Sequence, residues 1–382
     1  MRILIAPNAF KNSLTADKAA EAISMGLMQS KLDCHTHCFP VGDGGDGTAQ
    51  LLIQHFNAKT INAIVHDPIG RKINASFGLV DHDTPSPRTA IIELANASGL
   101  RLLHKNEYDP FRTTTYGTGE LIKIAMDQGV EKIILCIGGS ATVDGGSGLL
   151  QALGVKFLDE EGNELKQLPG LLSMLDDIDI TDLDKRLANT ELVILCDVEN
   201  KLLGINGAAS VFGPQKGASD QDVQQLEISL TKFREIAFKK IGKDMSLLKH
   251  GGAAGGVSAG LNTFLNAKII AGIEYFLDIT KFDKALLMAD LVITGEGSID
   301  LQTLHGKGPY GVAKRAKKRS IPVIGLAGTI PQKTNEELTK YFDVLLSINK
   351  EDMNLHIAMQ NTYENLNRSA KLLGDQLSIK KK

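Results

Sequence analysis

Short apolar runs that feed into glycine-rich loops set the strongest limit on how this chain can fold. Runs of four or five residues recur at Ile3–Ala6, Cys38–Val41, Ile91–Leu94, Ile133–Ile137, Leu192–Cys196, Leu291–Thr294, Val323–Ala327 and Val344–Ile348. Most are rich in Val, Ile and Leu without polar alternation, the pattern of strands buried on both faces. Amphipathic stretches lie between many of them. One is Asp17–Gln29 behind a Thr15 N-cap, with Ala20, Ile23 and Leu27 on one face; Leu121–Gln128, Val312–Lys318 and Glu364–Leu373 are similar. Strand, glycine loop and helix in succession form the βα unit of α/β folds, where ligands bind at the carboxyl ends of strands.

The glycines are concentrated. Of 38 in 382 residues, 23 fall in five stretches: 42–47, 138–148, 204–217, 251–260 and 295–311. Glycine inside an element costs about 0.5–1 kcal/mol relative to alanine, so such clusters belong in loops where backbone approaches something closely or takes positive φ. Each cluster is mixed with Asp, Ser, Thr or Lys, which marks them as functional loops rather than plain turns.

Two segments break the βα rhythm. Residues 57–90 alternate polar and apolar, with turn signals at Asp67-Pro68 and Pro85–Pro87, and suggest antiparallel strands. Residues 218–250 are polar with helical spacing at Val223, Leu226, Leu230, Phe233 and Ile236. The β-like alternation inside the βα pattern points to an inserted second domain. Charge excludes other classes: 42 basic against 45 acidic residues leave −3, with no basic footprint for nucleic acid. The Lys380–Lys382 run reads as a solvated tail. No apolar run approaches the roughly 18 residues of a membrane span, and the opening residues read as a first strand rather than a signal peptide. Four cysteines in so long a chain point to a reducing cytoplasm. In Cys34-His-Thr-His-Cys38 a strand would put cysteines and histidines on opposite faces, which argues against zinc.

The chemistry gathers in the loops. Leu135–Gly148 runs from a buried strand through Gly138-Gly139-Ser140 and Asp144-Gly-Gly-Ser-Gly148 into an apolar helix. Backbone amides in such a turn form an anion site, and Asp144 could hold a cation. Asp43 and Asp46, three residues apart among glycines, suit Mg²⁺, which takes one or two carboxylates plus phosphates. Asp197 ends a buried strand, well placed as general base or metal ligand. Lys216 stands between turn glycines, and the C-terminal loops repeat the logic with Glu296, Asp300 and Lys307; Asn8 and Lys11 follow the first strand directly. Phosphate-cradling glycines beside Asp and Lys indicate phosphoryl chemistry, in which the protein positions groups and balances charge.

In Ile5–Leu14, Pro40–Thr48, Asp67-Pro-Ile-Gly-Arg71, Glu93–Leu100, Tyr116–Leu121, Gly138–Gly148, Cys196–Asn200, Phe212–Ala218, Gly252–Gly256, Thr294–Asp300 and His305-Gly-Lys307 the chain resembles bacterial glycerate kinases acting on D-glycerate. That family commonly has Asp-Ser-Phe-Lys-Gly where this chain has Asn8–Asn12, Asn at Val143 and Arg at Ser298. The resemblance implies an α/β fold of two domains. Residues 1–60 plus 285–382 would form a discontinuous Rossmann-like parallel-sheet domain, and 61–284 an inserted α/β domain, with the active-site cleft between them. It implies ATP and Mg²⁺ as cofactors and conversion of D-glycerate to 2-phosphoglycerate, with the 3-phosphate as the other product. Asp197 is the first choice of base and Asp43 the second, with Lys11, Lys216 or Lys307 on the transferring phosphoryl. Gly138, Gly139, Ser140 and Glu296 would bind phosphate or nucleotide, Asn8 and Arg71 the substrate, and Asp46, Asp144 and Asp300 the metal. A homodimer is allowed. The alternatives are a kinase for another short hydroxy acid and an NAD-type dehydrogenase, which would need the strict GxGxxG that Pro7–Lys11 does not offer. A non-catalytic sensor of a sugar acid would be expected to have lost the Asp and Lys residues.

Overall fold

The computed structural model describes residues 1–81, 87–333, 335–349 and 354–379; the Lys380–Lys382 run and the Pro85-Ser86 part of the expected turn lie outside them. The strands among the described residues are β1 (Arg2–Ile5), β2 (His35–Cys38), β3 (Lys59–His66), β4 (Lys72–Val80), β5 (Thr89–Glu93), β6 (Lys132–Cys136), β7 (Lys156–Leu158), β8 (Asp177–Asp179), β9 (Glu191–Cys196), β10 (Lys268–Ala271), β11 (Leu291–Ser298), β12 (Val323–Thr329) and β13 (Val344–Ser347). The chain divides into two compact units: Met1–Asp43 with Ala271–Lys382, and Gly44–Ile270. The expected domain limits were 60 and 285. The division falls earlier at both places because helix Thr48–His55 packs on β4 and β5, whereas helix Gly272–Ile279 packs on helix Gly308–Lys317.

The first unit is a Rossmann-like parallel sheet in the order β13-β12-β11-β1-β2. Its central strands are apolar on both faces because both are covered: Ile3, Leu4, Ile5, Val292 and Ile293 are each at most 1% exposed. Full burial of such a side chain contributes about 1.5–3 kcal/mol. β2 departs from the expected run at Cys38–Val41. It is an edge strand with mostly exposed residues, so it can be as polar as His35-Thr-His-Cys38. The apolar residues follow it, with the Phe39 and Val41 amides bonded to the Ile5 and Pro7 carbonyls.

β1 connects through helix Ala16–Met28 to β2 on one side, and β11 through helix Gly308–Lys317 to β12 on the other. The strand order therefore reverses between β1 and β11, the place where parallel α/β sheets bind ligands.

The second unit holds a six-stranded sheet, β10-β9-β6-β5-β4-β3, and the antiparallel pair β7-β8. β5, β6 and β9 are parallel, while β3, β4 and β5 pair antiparallel as the alternation in 57–90 implies. The polar segment 218–250 forms helix Asp220–Ile241, opened by a Ser219/Asp222 capping box and closed by Gly242 at φ +78°. Helix Ala253–Leu265 begins irregularly, with Ala254, Gly255 and Gly256 at positive φ. A Cβ on Gly255 would lie 2.0 Å from the Thr142 carbonyl oxygen, so the 251–260 glycines let this helix start lie directly on the 138–148 loop.

Candidate active site

At the carboxyl edge of the first unit's sheet, the chain leaving β1 brings Asn8 beside Asp43. Asn8 Nδ2 donates to Asp43 Oδ2 at 2.6 Å, and the backbone N–H of Gly308 donates to the same oxygen at 3.3 Å. Both side chains are buried, and Gly308 opens the ten-residue helix Gly308–Lys317. Asp43 thus lies at the positive end of a helix dipole. Glu296 stands near the end of β11, 6% exposed. Its Oε1 accepts from Thr303 Oγ1 at 3.0 Å and lies 3.9 Å from Lys307 Nζ. Burial, only partly offset by Lys307 and assisted by the charge of Asp43, pushes Glu296 up to about 8. Lys11 is exposed on the turn after β1, and Lys307 is half-buried at the N-cap of the helix.

In the second unit the equivalent acid is Glu93, at the end of β5. Its Oε1 accepts from the Gly47 amide at 2.6 Å and its Oε2 from the Ala49 amide at 3.2 Å, so it caps helix Thr48–His55 from outside. Burial first, and then a hydrogen bond with Asp46, push Glu93 up to about 8. Arg101 bonds Asp46 at 2.5 Å and approaches Glu93 at 3.9 Å. Gly44 takes φ +94°, and a Cβ there would fall 2.7 Å from the Leu195 carbonyl carbon, which makes glycine obligatory. This puts the 44–47 loop against the end of β9, directly before Asp197, which is half-buried. On its other side Gly138 N–H donates to the Gly44 carbonyl at 3.1 Å.

The second glycine loop is held from beneath. Lys216 is 2% exposed, and its Nζ donates to Ser140 Oγ at 2.8 Å and to the Thr142 carbonyl at 2.7 Å. A cation is thereby fixed under the Gly138–Thr142 backbone, a fit for a loop that receives an anion.

A family model described as glycerate kinase family matches residues 3–378. The chain belongs to the glycerate kinase family. It is 43% identical over 381 residues to a glycerate kinase of Bacillus subtilis strain 168, covering 100% of this chain and 99% of that one. It is 41% identical over 379 residues to a glycerate 2-kinase of Escherichia coli K12, covering 99% and 98%. A crystal structure of a candidate glycerate kinase 2 from Salmonella typhimurium LT2 matches with a TM-score of 0.81 at 40% identity, over 100% of this chain and 99% of that one. Family membership makes the chain an enzyme of the kinase class, a transferase. No helix among the described residues is long and apolar enough to cross a membrane.

Against this family background, the expected residues fall into groups. Asn8, Asp43, Glu296 and Lys307 come together in the first unit; Gly138, Gly139, Ser140 and Lys216 come together in the second. Arg71 is instead engaged by Asp67 at 2.5 Å, Glu107 at 2.7 Å and the Leu102 carbonyl, bracing a turn. The three aspartates expected at a metal do not form one ligand set. Asp144 is fully buried and accepts from Thr115 N and Oγ1, Gly146 N and Gly148 N. Asp300 caps the turn Leu301–His305, and Asp46 is paired to Arg101. Among the described residues no group of three or more His, Cys, Asp or Glu is arranged for a metal. That set does not fit Mg²⁺, and no step below is routed through the ion. Glu93, Arg101 and Thr303 contact the expected residues without being among them. Glu93 carried a usable signal, an acid ending a buried strand, the same signal that singled out Asp197.

Proposed function

We propose that this family member transfers the γ-phosphoryl group of ATP to a hydroxyl of D-glycerate and releases 2-phosphoglycerate. The observation that carries the reading is the Asn8–Asp43–Glu296–Lys307 cluster at the strand-order reversal, at a helix N-terminus, in a chain 41% identical to a glycerate 2-kinase. Asp197 takes the proton of the acceptor hydroxyl, with Asp43 as the second choice. Lys11 and Lys307 balance charge on the transferring phosphoryl, and the Gly138–Ser140 amides receive phosphate oxygens over the buried Lys216 cation. The test is an ADP-release assay with ATP and D-glycerate on wild type, Asp197→Asn and Asp43→Asn. Removing the general base lowers kcat by about 10²–10⁴ with a normal melting temperature. Near wild-type turnover in Asp197→Asn, with loss in Asp43→Asn, moves the base to Asp43. No D-glycerate turnover by wild type contradicts the reading.

A further inference from the structure

Resting on that reading, we propose that Glu296 recognises an anionic oxygen of the ligand through its Oε2, acting as a hydrogen-bond donor rather than as a charge. Three observations carry it. The residue is 6% exposed, yet only Oε1 has protein partners: it accepts from Thr303 Oγ1 at 3.0 Å and faces Lys307 at 3.9 Å. Among the described residues Oε2 has no hydrogen-bond partner, and it is not among the sealed, unpartnered buried atoms, so it opens onto accessible space. That space lies at the strand-order reversal, beside the N-terminus of helix Gly308–Lys317.

The hydrogen bonding also assigns the proton. Thr303 Oγ1 accepts the Asp300 amide at 3.2 Å and has two acceptors for its own proton, Glu296 Oε1 at 3.0 Å and the Ser298 carbonyl at 3.4 Å; the nearer is Oε1, and with Oε1 accepting, a carboxyl proton belongs on Oε2. The charged groups around Glu296 are Lys307 from the helix N-cap, Asp43 from the chain after β2 and Asp300 from the adjoining turn. His305 and Lys11 lie on the neighbouring segments. Burial is the main cause; Lys307 and the Thr303 hydrogen bond oppose it only in part, and Asp43 and Asp300 add to it, so the carboxyl keeps its proton through neutral pH. An ionised Glu296 would repel a carboxylate or phosphate; the neutral acid can donate to either. The shared ligand chemistry is therefore an anionic oxygen, from the carboxylate of D-glycerate or from a nucleotide phosphate.

The experiment is titration calorimetry of wild type and Glu296→Gln with D-glycerate and, separately, with ADP, from pH 7 to 9.5. In wild type the affinity for one of the two ligands falls about tenfold per pH unit above pH 8, and the ligand that responds names the source of the oxygen. Gln is a neutral donor at every pH, so Glu296→Gln holds that affinity constant. A fall in wild type reproduced unchanged in Glu296→Gln, or flat wild-type affinities for both ligands, overturns the proposal. If Glu296→Gln does not fold, the wild-type profile still decides, since a flat one overturns. Failure of the glycerate reading shows separately, as absence of D-glycerate turnover at pH 7, and leaves the ADP titration to test Glu296.

Discussion

Glu93 and Glu296 are the same residue type in the same kind of place: each is a buried glutamate near the end of a parallel strand, held up to about 8. Their partners differ. Both oxygens of Glu93 are taken by backbone amides, and Asp46 and Arg101 close the outside. Glu296 has one hydroxyl donor and a lysine at 3.9 Å, all on one oxygen. A satisfied buried carboxyl fixes a loop in place, whereas a half-satisfied one holds unmet hydrogen-bonding capacity toward a ligand. Burial and a shifted proton affinity do not separate scaffold from site; the partner count of each oxygen does.

The largest effect that tests this contrast is expected in the first unit. Asp43→Ala removes the acceptor of Asn8 and of the Gly308 amide and should cut kcat by roughly 10²–10⁴. Its melting temperature should fall as well, because the Asn8 side chain and the Gly308 amide lose their shared acceptor; a fall in melting temperature with kcat kept would make Asp43 part of the scaffold. Glu93→Ala should lose stability while keeping kcat wherever the protein stays folded. It strands two amides at the start of helix Thr48–His55, at roughly 1–3 kcal/mol per unsatisfied group, and thermal unfolding should begin several degrees lower. Unchanged melting would remove Glu93 from the scaffold.

The two carboxyls also set a pH dependence. Between about pH 4.5 and pH 8 the folded chain holds protons on Glu93 and Glu296 that the unfolded chain has released. The folded state binds more protons across that window, so stability falls as pH rises through it. Melting temperatures from pH 5 to 9 should decline in wild type, and more gently in Glu93→Gln and Glu296→Gln. A decline equal in all three proteins would assign it to other groups. Arg71→Ala should have the smallest effect on melting temperature, because Arg71 is half exposed and Asp67 keeps the Ile69 and Arg71 backbone amides as donors. A large rise in KM for D-glycerate would return Arg71 to the substrate.

The fold was legible because burial on both faces leaves a direct trace: Ile133–Ile137, Leu192–Cys196 and Val323–Ala327 each coincide closely with a strand. β2 escaped because an edge strand has no such requirement. The glycine clusters did mark where backbones meet, but not for one purpose. Residues 44–47 and 138–148 lie against each other, while 251–260 serve to seat a helix on the second loop. Individual roles were harder to read. Asp144 and Asp46 look alike in a glycine loop, yet one turns inward to four donors and the other outward to Arg101. Which way a carboxylate turns depends on donors far away in the chain, Thr115 for one and Arg101 for the other, and no local spacing encodes that.

Product-resolved phosphoryl transfer tests the central claim most directly: wild-type protein is incubated with ATP and D-glycerate, and the phosphorylated acid is identified by phosphorus NMR. The account predicts stoichiometric ADP and 2-phosphoglycerate, whose phosphorus couples to a single carbon-bound proton. A folded protein that forms ADP without a phosphorylated glycerate, or forms neither, would contradict it.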